Sequence, residues 1–282
     1  MENIKKAKEF IIKYKFYKNK LSQFEKKKKE IHFFDNFSRK TSKLTPEIIA
    51  NSLHYYIEIN TSNNVKELGK SKFYGKPHLP KDFKIPNEWK KVTFWFQYNL
   101  EELAKYDVEE LLPCCGLVSV FKTSKGIKAI YLKETTNLVE RKDIKEDKDA
   151  DEFFVEFKPA SIFYIGGDWY EYKEFYDFLE PDFKDKISKI LNCDLVSRDN
   201  AFRILGRPIL WQGEDDYDEF CEEEFEEEFD GELEEMKIKQ INSFLFLQYE
   251  ESIDDSSIQL WLDKRKSKLG DFTEVTDYGS TS

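Results

Sequence analysis

A turn-and-strand pattern that occurs twice constrains the fold of this chain most. The first copy places Gly75-Lys76-Pro77 before a strand-like run ending in Gln97-Tyr98, and the second places Gly206-Arg207-Pro208 before a run ending in Gln248-Tyr249. The glycine and glutamine lie 22 positions apart in the first copy and 42 apart in the second. The second interval contains a 22-residue acidic run, without which the two spacings nearly agree. The pattern predicts one β unit used twice, with a charged helix inserted in the second copy.

Hydrophobic periodicity predicts several helices along the chain. Apolar residues at steps of three and four indicate an amphipathic helix over residues 3–29. Thr45-Pro46-Glu47 supplies an N-cap, a proline at N1 and an acidic first turn, which predicts a short helix over 45–54. A helix is also expected over 100–112, and another over 171–193 with an interruption at Glu180-Pro181.

Aromatic residues make up 16% of the 282 residues, a composition that favours strands and large buried contacts. Alternating or apolar runs predict strands over 55–60, 92–98, 117–122, 128–133, 244–249 and 258–262, while 279–282 is expected to form a soft tail. The expected fold class is α+β, with two related antiparallel β units in one domain, flanking helices and an N-terminal helical arm. We assign residues 1–50 to the basic helical arm and residues 51–282 to the α+β domain, with an acidic helical insert at 214–238.

Charge is concentrated at two places in a chain whose net charge is −11. Residues 1–45 hold 14 Lys or Arg against 5 Asp or Glu, and residues 214–235 hold 15 Asp or Glu with no Lys or Arg. The basic arm either packs on the body with its lysines in water or grips a phosphate backbone or a partner helix. The acidic helix is either a solvated face whose charge complements the basic arm of the same molecule, or a surface that competes for a nucleic-acid groove on another protein. The candidate partner-binding residues are Asp215, Asp216, Asp218, Glu219, Glu222, Glu223, Phe225, Glu226, Glu227 and Phe229.

Three glutamines and one histidine are the candidate ligand-binding residues. Gln97 and Gln248 end apolar strands, Gln212 follows the second Gly-x-Pro, and His78 lies in a turn close to a strand. Buried side-chain amides must find hydrogen-bond partners. The amides therefore either orient a small polar ligand or lock the two halves together. His78 either caps a carbonyl group in its turn or serves as a general base.

The sequence contains no motif that identifies a reaction. It has no P-loop, no Gly-rich dinucleotide fingerprint, no HExxH and no GxSxG. Its three histidines lack zinc-ligand spacing, so we expect no catalytic set, no metal and no cofactor.

The sequence indicates a cytoplasmic protein that is not inserted in a membrane. No apolar run approaches the roughly 18–20 residues that span a bilayer, and the first residues lack the apolar core of a secretory signal. Cys114, Cys115, Cys193 and Cys221 form no CxxC pattern and are expected to be free thiols.

Several short motifs in a fixed order resemble the YwqG-like family of uncharacterised bacterial proteins over about residues 55–275. The motifs are Ser71 to Phe83, Phe96 to Leu103, Leu112 to Leu117, Leu205 to Pro208 with Gln212, Phe246 to Gln248, and Leu262 to Phe272. The resemblance implies a single α+β domain with antiparallel sheets, a bacterial or phage origin and no agreed activity. The chain departs from the family at Tyr74 and Leu205, where a second glycine is usual, and it lacks the family's Trp-Gly-Asp loop before the last strand. A large side chain at these two positions is expected to block positive φ.

Two functions from different classes remain. The first is a non-enzymatic protein-binding factor, inhibitor- or immunity-like, that acts through its charged surfaces. The alternative is a small polar ligand binder or hydrolase that uses a cleft between the two β repeats. Direct nucleic-acid binding by the lysine-rich arm is a third hypothesis, which predicts a steep loss of affinity with salt.

Overall fold

The structure is a computed structural model that describes residues 2–14, 45–62, 67–145, 147, 150–164, 169–197, 202–206, 242–251 and 256–280. The chain divides into two compact units. The first unit comprises Met1–Tyr56 and Pro159–Asn200, and the second comprises Ile57–Lys158 and Ala201–Ser282.

Helices and strands alternate irregularly along the described chain. The helices are α1 Glu2–Lys13, α2 Pro46–Asn51, α3 Leu100–Ala104, α4 Trp169–Phe178, α5 Pro181–Leu191 and α6 Lys264–Lys268. The strands are β1 Leu53–Ser62, β2 Lys72–Phe73, β3 His78–Pro80, β4 Thr93–Asn99, β5 Leu117–Thr123, β6 Gly126–Leu132, β7 Leu138–Glu140, β8 Phe153–Phe163, β9 Asp194–Leu195, β10 Arg203–Ile204, β11 Ser243–Glu251, β12 Ser256–Asp263 and β13 Val275–Ser280. The fold is mixed α+β, with a large antiparallel sheet.

Local capping signals determine where two helices begin. The Thr45 side chain accepts a hydrogen bond from the amide of Ile48 at 3.3 Å, and Pro46 occupies the first turn of α2. Pro181 likewise begins α5, because the residue before a proline is disfavoured in the helical region and Glu180 is extended. Both predicted starts are confirmed. Helix α2 ends at Asn51 because β1 begins two residues later.

The core of the first unit lies among its helices. Ala7 and Ile11 of α1 are completely buried there, and the Phe10 ring stacks on Phe183 of α5 at 5.7 Å. The Tyr14 hydroxyl donates a hydrogen bond to Glu180 at 3.0 Å, immediately before α5. Helix α1 ends at Lys13, whereas periodicity predicted a helix to residue 29, and residues 15–44 lie outside the described part of the chain.

The strand order of the main sheet is β13-β12-β11-β10-β1-β8-β2-β4-β5-β6. Strands β1 and β8 are neighbours in the middle of this order. The strand pairs on either side of them are antiparallel. A separate two-stranded antiparallel sheet joins β3 to β7. In the first unit, β9 pairs in parallel with the end of β8.

Corresponding features recur on the two sides of this sheet. Lys72 of β2 is the register partner of Gln97 of β4, and Arg203 of β10 is the register partner of Gln248 of β11. The register shifts between Phe94 and Phe96 in β4, and between Leu245 and Leu247 in β11. In both places the shift lies two residues before the glutamine.

The turns after β2 and β10 share a left-handed backbone. Tyr74 and Gly75 have φ of 58° and 70°, and Leu205 and Gly206 have φ of 62° and 75°. The expectation that a bulky side chain blocks positive φ at Tyr74 and Leu205 is therefore wrong. Burial explains the difference, because both side chains are packed in the interior and the contacts offset a conformational cost of roughly 1–2 kcal/mol.

Two other sequence expectations also need correction, and one strand was missed. The helix predicted over 100–112 ends at Ala104, where the chain turns and the Asp107 carboxylate accepts a hydrogen bond from the amide of Leu112 at 2.8 Å. The long strand β8 was not predicted. Gly279 and Ser280, expected in a soft tail, belong to β13 and pair with β12.

Candidate functional site

Gln97 and His78 form one buried hydrogen-bonded cluster in the second unit. Gln97 is completely buried, and its Oε1 accepts from the backbone N–H of His78 at 2.9 Å. Its Nε2 donates to the carbonyl oxygen of Lys70 at 2.7 Å and lies 3.0 Å from Nδ1 of His78. The amide of Gln97 thus holds the segment before β2 against the start of β3.

The imidazole of His78 is a hydrogen-bond acceptor within its own turn. The side chain is 4% exposed, and Nδ1 accepts from the backbone N–H of Gly69 at 3.0 Å. Because an amide N–H only donates, Nδ1 is unprotonated and the ring proton resides on Nε2. Burial and the nearby positive charge of Lys72 lower the pKa of His78 to about 4, against a smaller opposing effect of Glu152. His78 is therefore neutral at neutral pH.

Lys72 and Glu152 form an ion pair beside this cluster. Lys72 is completely buried, and its Nζ lies 2.6 Å from Oε1 of Glu152. The rings of Phe94 and Phe154 lie 5.8 Å from the same nitrogen. A buried ammonium is tolerated only when paired and hydrogen-bonded, so Glu152 fixes the position of the lysine.

Gly75 is required by the approach of Glu152 to the turn. A Cβ atom at this position would lie 2.6 Å from Oε1 of Glu152. Its φ of 70° also belongs to the region that favours glycine. The turn after β2 and the ion pair thus depend on each other.

Three polar residues form a row across adjacent strands. Lys72, Gln97 and Ser119 are successive register partners on β2, β4 and β5, so their side chains share one face of the sheet. All three are completely buried. The Ser119 hydroxyl has no hydrogen-bond partner among the described residues. We call these residues the polar row.

The other side of the sheet carries a corresponding set. Arg203 and Gln248 are completely buried register partners, and Nη2 of the arginine lies 3.5 Å from Oε1 of the glutamine. Gln248 is in turn the register partner of Gln259, which is 5% exposed and accepts from the indole N–H of Trp261 at 3.3 Å. A buried cation thus faces a buried amide in both places.

The structure places some predicted site residues together and leaves others undescribed. Gln97 and His78 contact each other, and Gln248 contacts Arg203. Gln212 and the ten candidate partner-binding residues of the acidic insert lie outside the described residues.

Sequence reasoning missed five residues of these clusters, of which Glu152 is half-buried and the other four are buried. They are Lys72, Ser119, Glu152, Arg203 and Gln259. A signal was present for two of them, because a basic residue stands three positions before the glycine in both copies of the turn. The other three are brought into place by strand pairing over long sequence separations.

No group of three or more His, Cys, Asp or Glu side chains suited to a metal ion occurs among the residues that the structure describes. Cys114, Cys115 and Cys193 are free thiols, and Cys221 lies outside the described ranges. Within those ranges, no helix combines the length and the apolar character needed to cross a membrane.

No protein-family model matches the chain, and a search of curated proteins finds no match to it.

Proposed function

We propose that this chain is a non-enzymatic binding protein, inhibitor- or immunity-like, that recognises a basic protein partner through residues 214–235. One observation carries the proposal. The candidate ligand-binding residues His78 and Gln97 of the second unit, and Lys72 beside them, are at most 4% exposed and are bonded to the chain itself. This leaves the segment with 15 Asp or Glu and no Lys or Arg as the principal recognition element.

The chemistry of His78 supports a role in folding in preference to catalysis. A general base needs a pKa near the working pH and a free lone pair directed at the substrate. The pKa of His78 is lowered to about 4, and its Nδ1 accepts from Gly69. The ring is thus a weak base whose only lone pair is already used.

The charge pattern indicates the partner's chemistry. Many carboxylates within a 22-residue segment create a field that attracts a surface rich in Lys and Arg, such as a groove that binds nucleic-acid phosphates. We propose that residues 214–238 form a helix whose acidic face mimics a nucleic acid, with Phe225 and Phe229 adding apolar contacts. The protein acts in the cytoplasm by occupying its partner's groove.

Capture of partners from the native host extract tests this function. The variant changes Asp215, Asp216 and Asp218 to Asn and Glu219, Glu222, Glu223, Glu226 and Glu227 to Gln. The control neutralises four acidic residues exposed elsewhere, Glu88, Glu109, Glu134 and Asp185. Wild type and control should retain the same basic proteins and release them as salt rises, whereas the variant should retain none. Equal retention by all three proteins contradicts the proposal.

We also propose that the main sheet consists of two related β units, and that the chain is a member of the YwqG-like family. The shared register of Lys72 with Gln97 and of Arg203 with Gln248 supports this relation, as do the matching turns and register shifts. On this proposal β1 and β8 are equivalent strands, because the order of the ten-strand path is symmetric about them. Residues 1–50 form an additional basic helical element.

One observation favours the alternative of a small polar ligand binder. The completely buried Ser119 hydroxyl has no hydrogen-bond partner in the described part of the chain, and buried polar groups without partners are rare. A polar molecule beside the polar row would satisfy it. Thermal shifts across a panel of small polar metabolites test this alternative. A shift seen in wild type but lost in Ser119→Ala supports it, and no shift with any compound contradicts it.

A further inference from the structure

Two adjacent thiols stand at the surface of the second unit. Cys114 is exposed and Cys115 is half-buried, in the loop between α3 and β5. They are consecutive residues, and the Cys114 side chain lies close enough to raise the pKa of the Cys115 thiol. This places both sulfur atoms within reach of one small molecule.

The backbone on the C-terminal side of the thiols is firmly anchored. The Tyr131 hydroxyl donates a hydrogen bond to the carbonyl oxygen of Cys115 at 3.1 Å. The carbonyl oxygen of Gly116 accepts from the amide of Leu100 at 2.9 Å. A Cβ atom at position 116 would lie 2.6 Å from both the Leu132 carbonyl oxygen and the Tyr131 ring, so the chain is held tightly against β6. A rigid frame lowers the conformational entropy lost when both thiols bind one ligand.

The same ring is fixed from its other side. A Cβ atom at Gly270 would also lie 2.6 Å from the Tyr131 ring, and this ring packs against Phe272 at 5.5 Å. The tyrosine that positions the Cys115 carbonyl is therefore itself immobilised. The contacts that hold the backbone beside the two thiols therefore come from α3, from β6 and from the segment before β13.

The surroundings of the thiols favour one kind of reaction. Desolvation and the neighbouring Cys114 side chain raise the pKa of the Cys115 thiol above its ordinary value, so it is protonated at neutral pH. Protonated thiols react slowly as nucleophiles toward peroxides and disulfides. A zinc ion needs four ligands, and no third His, Cys, Asp or Glu ligand joins the pair among the described residues. The pair is better suited to an electrophile that binds only two sulfur atoms than to zinc.

We propose that Cys114 and Cys115 form a binding site for thiophilic trivalent arsenicals that carry one organic substituent. In the reaction, two As–S bonds form and the two S–H bonds break. The oxygen of the arsenic oxide leaves as water with both thiol protons. Arsenic stays trivalent, so the step needs neither an oxidant nor a reductant. The product is a cyclic dithioarsinite bridging adjacent residues.

Phenylarsine oxide is the probe that tests this site. The full-length protein is incubated with one equivalent and measured by intact mass spectrometry. We expect a mass increase equal to phenylarsine oxide minus one water, which survives excess 2-mercaptoethanol and is reversed by 2,3-dimercaptopropanol. Cys114→Ser and Cys115→Ser should each weaken binding by on the order of 100-fold, because the second bond to arsenic is then lost.

The control variant is Cys193→Ser with Cys221→Ser, which keeps the adjacent pair. It should bind phenylarsine oxide as wild type does. Because Cys114 is exposed, Cys114→Ser should leave the thermal unfolding temperature unchanged, and that measurement accompanies each binding experiment. Binding that persists in Cys114→Ser, disappears in the control variant, or is reversed by 2-mercaptoethanol overturns the proposal.

Discussion

The ammonium nitrogen of the completely buried Lys72 lies 2.6 Å from a carboxylate oxygen of Glu152, whose side chain is 13% exposed. Lys70, two residues earlier, makes a comparable contact of 3.0 Å with Glu102, but its side chain is 44% exposed. Lys70 also lies 3.8 Å from Glu67, so this exposed lysine has two acidic partners. The two lysines therefore contrast a buried ion pair with an exposed group of charges.

We expect Lys72→Ala to lower the free energy of unfolding by about 3 kcal/mol or more, because it leaves the Glu152 carboxylate without its buried cation. Lys70→Ala should cost no more than about 1 kcal/mol, since exposed pairs contribute little. Urea denaturation of both variants provides the comparison. Equal losses of unfolding free energy in the two variants would show that the buried ion pair of Lys72 does not stabilise the turn after β2.

The pH dependence of stability should report on His78. Its pKa is about 4 in the folded protein and 6.5 in the unfolded chain. The unfolded state binds the proton in this interval and the folded state does not, so stability is lost as the pH falls from 6.5 towards 4. The slope contributed by one such group approaches about 1.4 kcal/mol per pH unit.

His78→Asn is the control for this pH effect, because its side-chain oxygen can still accept from Gly69 but does not titrate. The difference in unfolding free energy between wild type and variant, measured at several pH values, removes the contribution of the carboxylates. That difference should change between pH 6.5 and 4 and stay constant above pH 6.5. A constant difference over the whole range contradicts the burial of a neutral His78.

Gly75→Ala should destabilise the protein more than Gly126→Ala. Both glycines have positive φ, 70° and 85°, so both substitutions carry a backbone cost of roughly 1 kcal/mol or more. A Cβ atom at position 126 meets nothing within 4 Å, whereas at position 75 it meets the Glu152 side chain that Lys72 holds in place. Thermal unfolding of the two variants should show the larger loss for Gly75→Ala. Equal losses would mean that Glu152 moves aside at no cost.

Ser119→Ala should leave stability unchanged or raise it by up to about 1 kcal/mol, because it removes a buried hydroxyl without a partner in the described chain. Ser71 is the matched control, because it is also completely buried but its hydroxyl donates to Glu102 at 2.6 Å and accepts from the amide of Asn99 at 2.8 Å. Ser71→Ala should cost about 1–3 kcal/mol. A similar loss for Ser119→Ala in denaturant unfolding would indicate that Ser119 has a bound partner in solution.

Elements defined by local chemistry were predictable from the sequence. The Thr45 cap, the break at Pro181 and the strands β5 and β6 depend on neighbouring residues, and each is confirmed. Strand β8 was missed because Pro159 interrupts its apolar pattern, and its pairing partners are distant in the sequence. The left-handed conformation of Tyr74 and Leu205 is imposed by packing, which overrides the local preference for glycine.

The candidate site was predictable only in part. Gln97 drew attention because an amide that ends an apolar strand needs partners, and its contact with His78 satisfies that need. Lys72 was overlooked because a lysine is rarely buried, and its carboxylate lies 80 residues away in the sequence. Ser119 carries no local signal, since only the register of β4 with β5 brings it beside Gln97.

The most direct test of the proposed function measures the affinity of a captured basic partner at several salt concentrations. Because we propose that the carboxylates of residues 214–235 dominate recognition, affinity should fall steeply and linearly on a plot of log affinity against log salt. The variant with eight neutralised acidic residues should bind much more weakly and lose most of this slope, while the control with four exposed acidic residues neutralised elsewhere should match wild type. An affinity that is independent of salt, or equal in wild type and the eight-residue variant, would contradict the account.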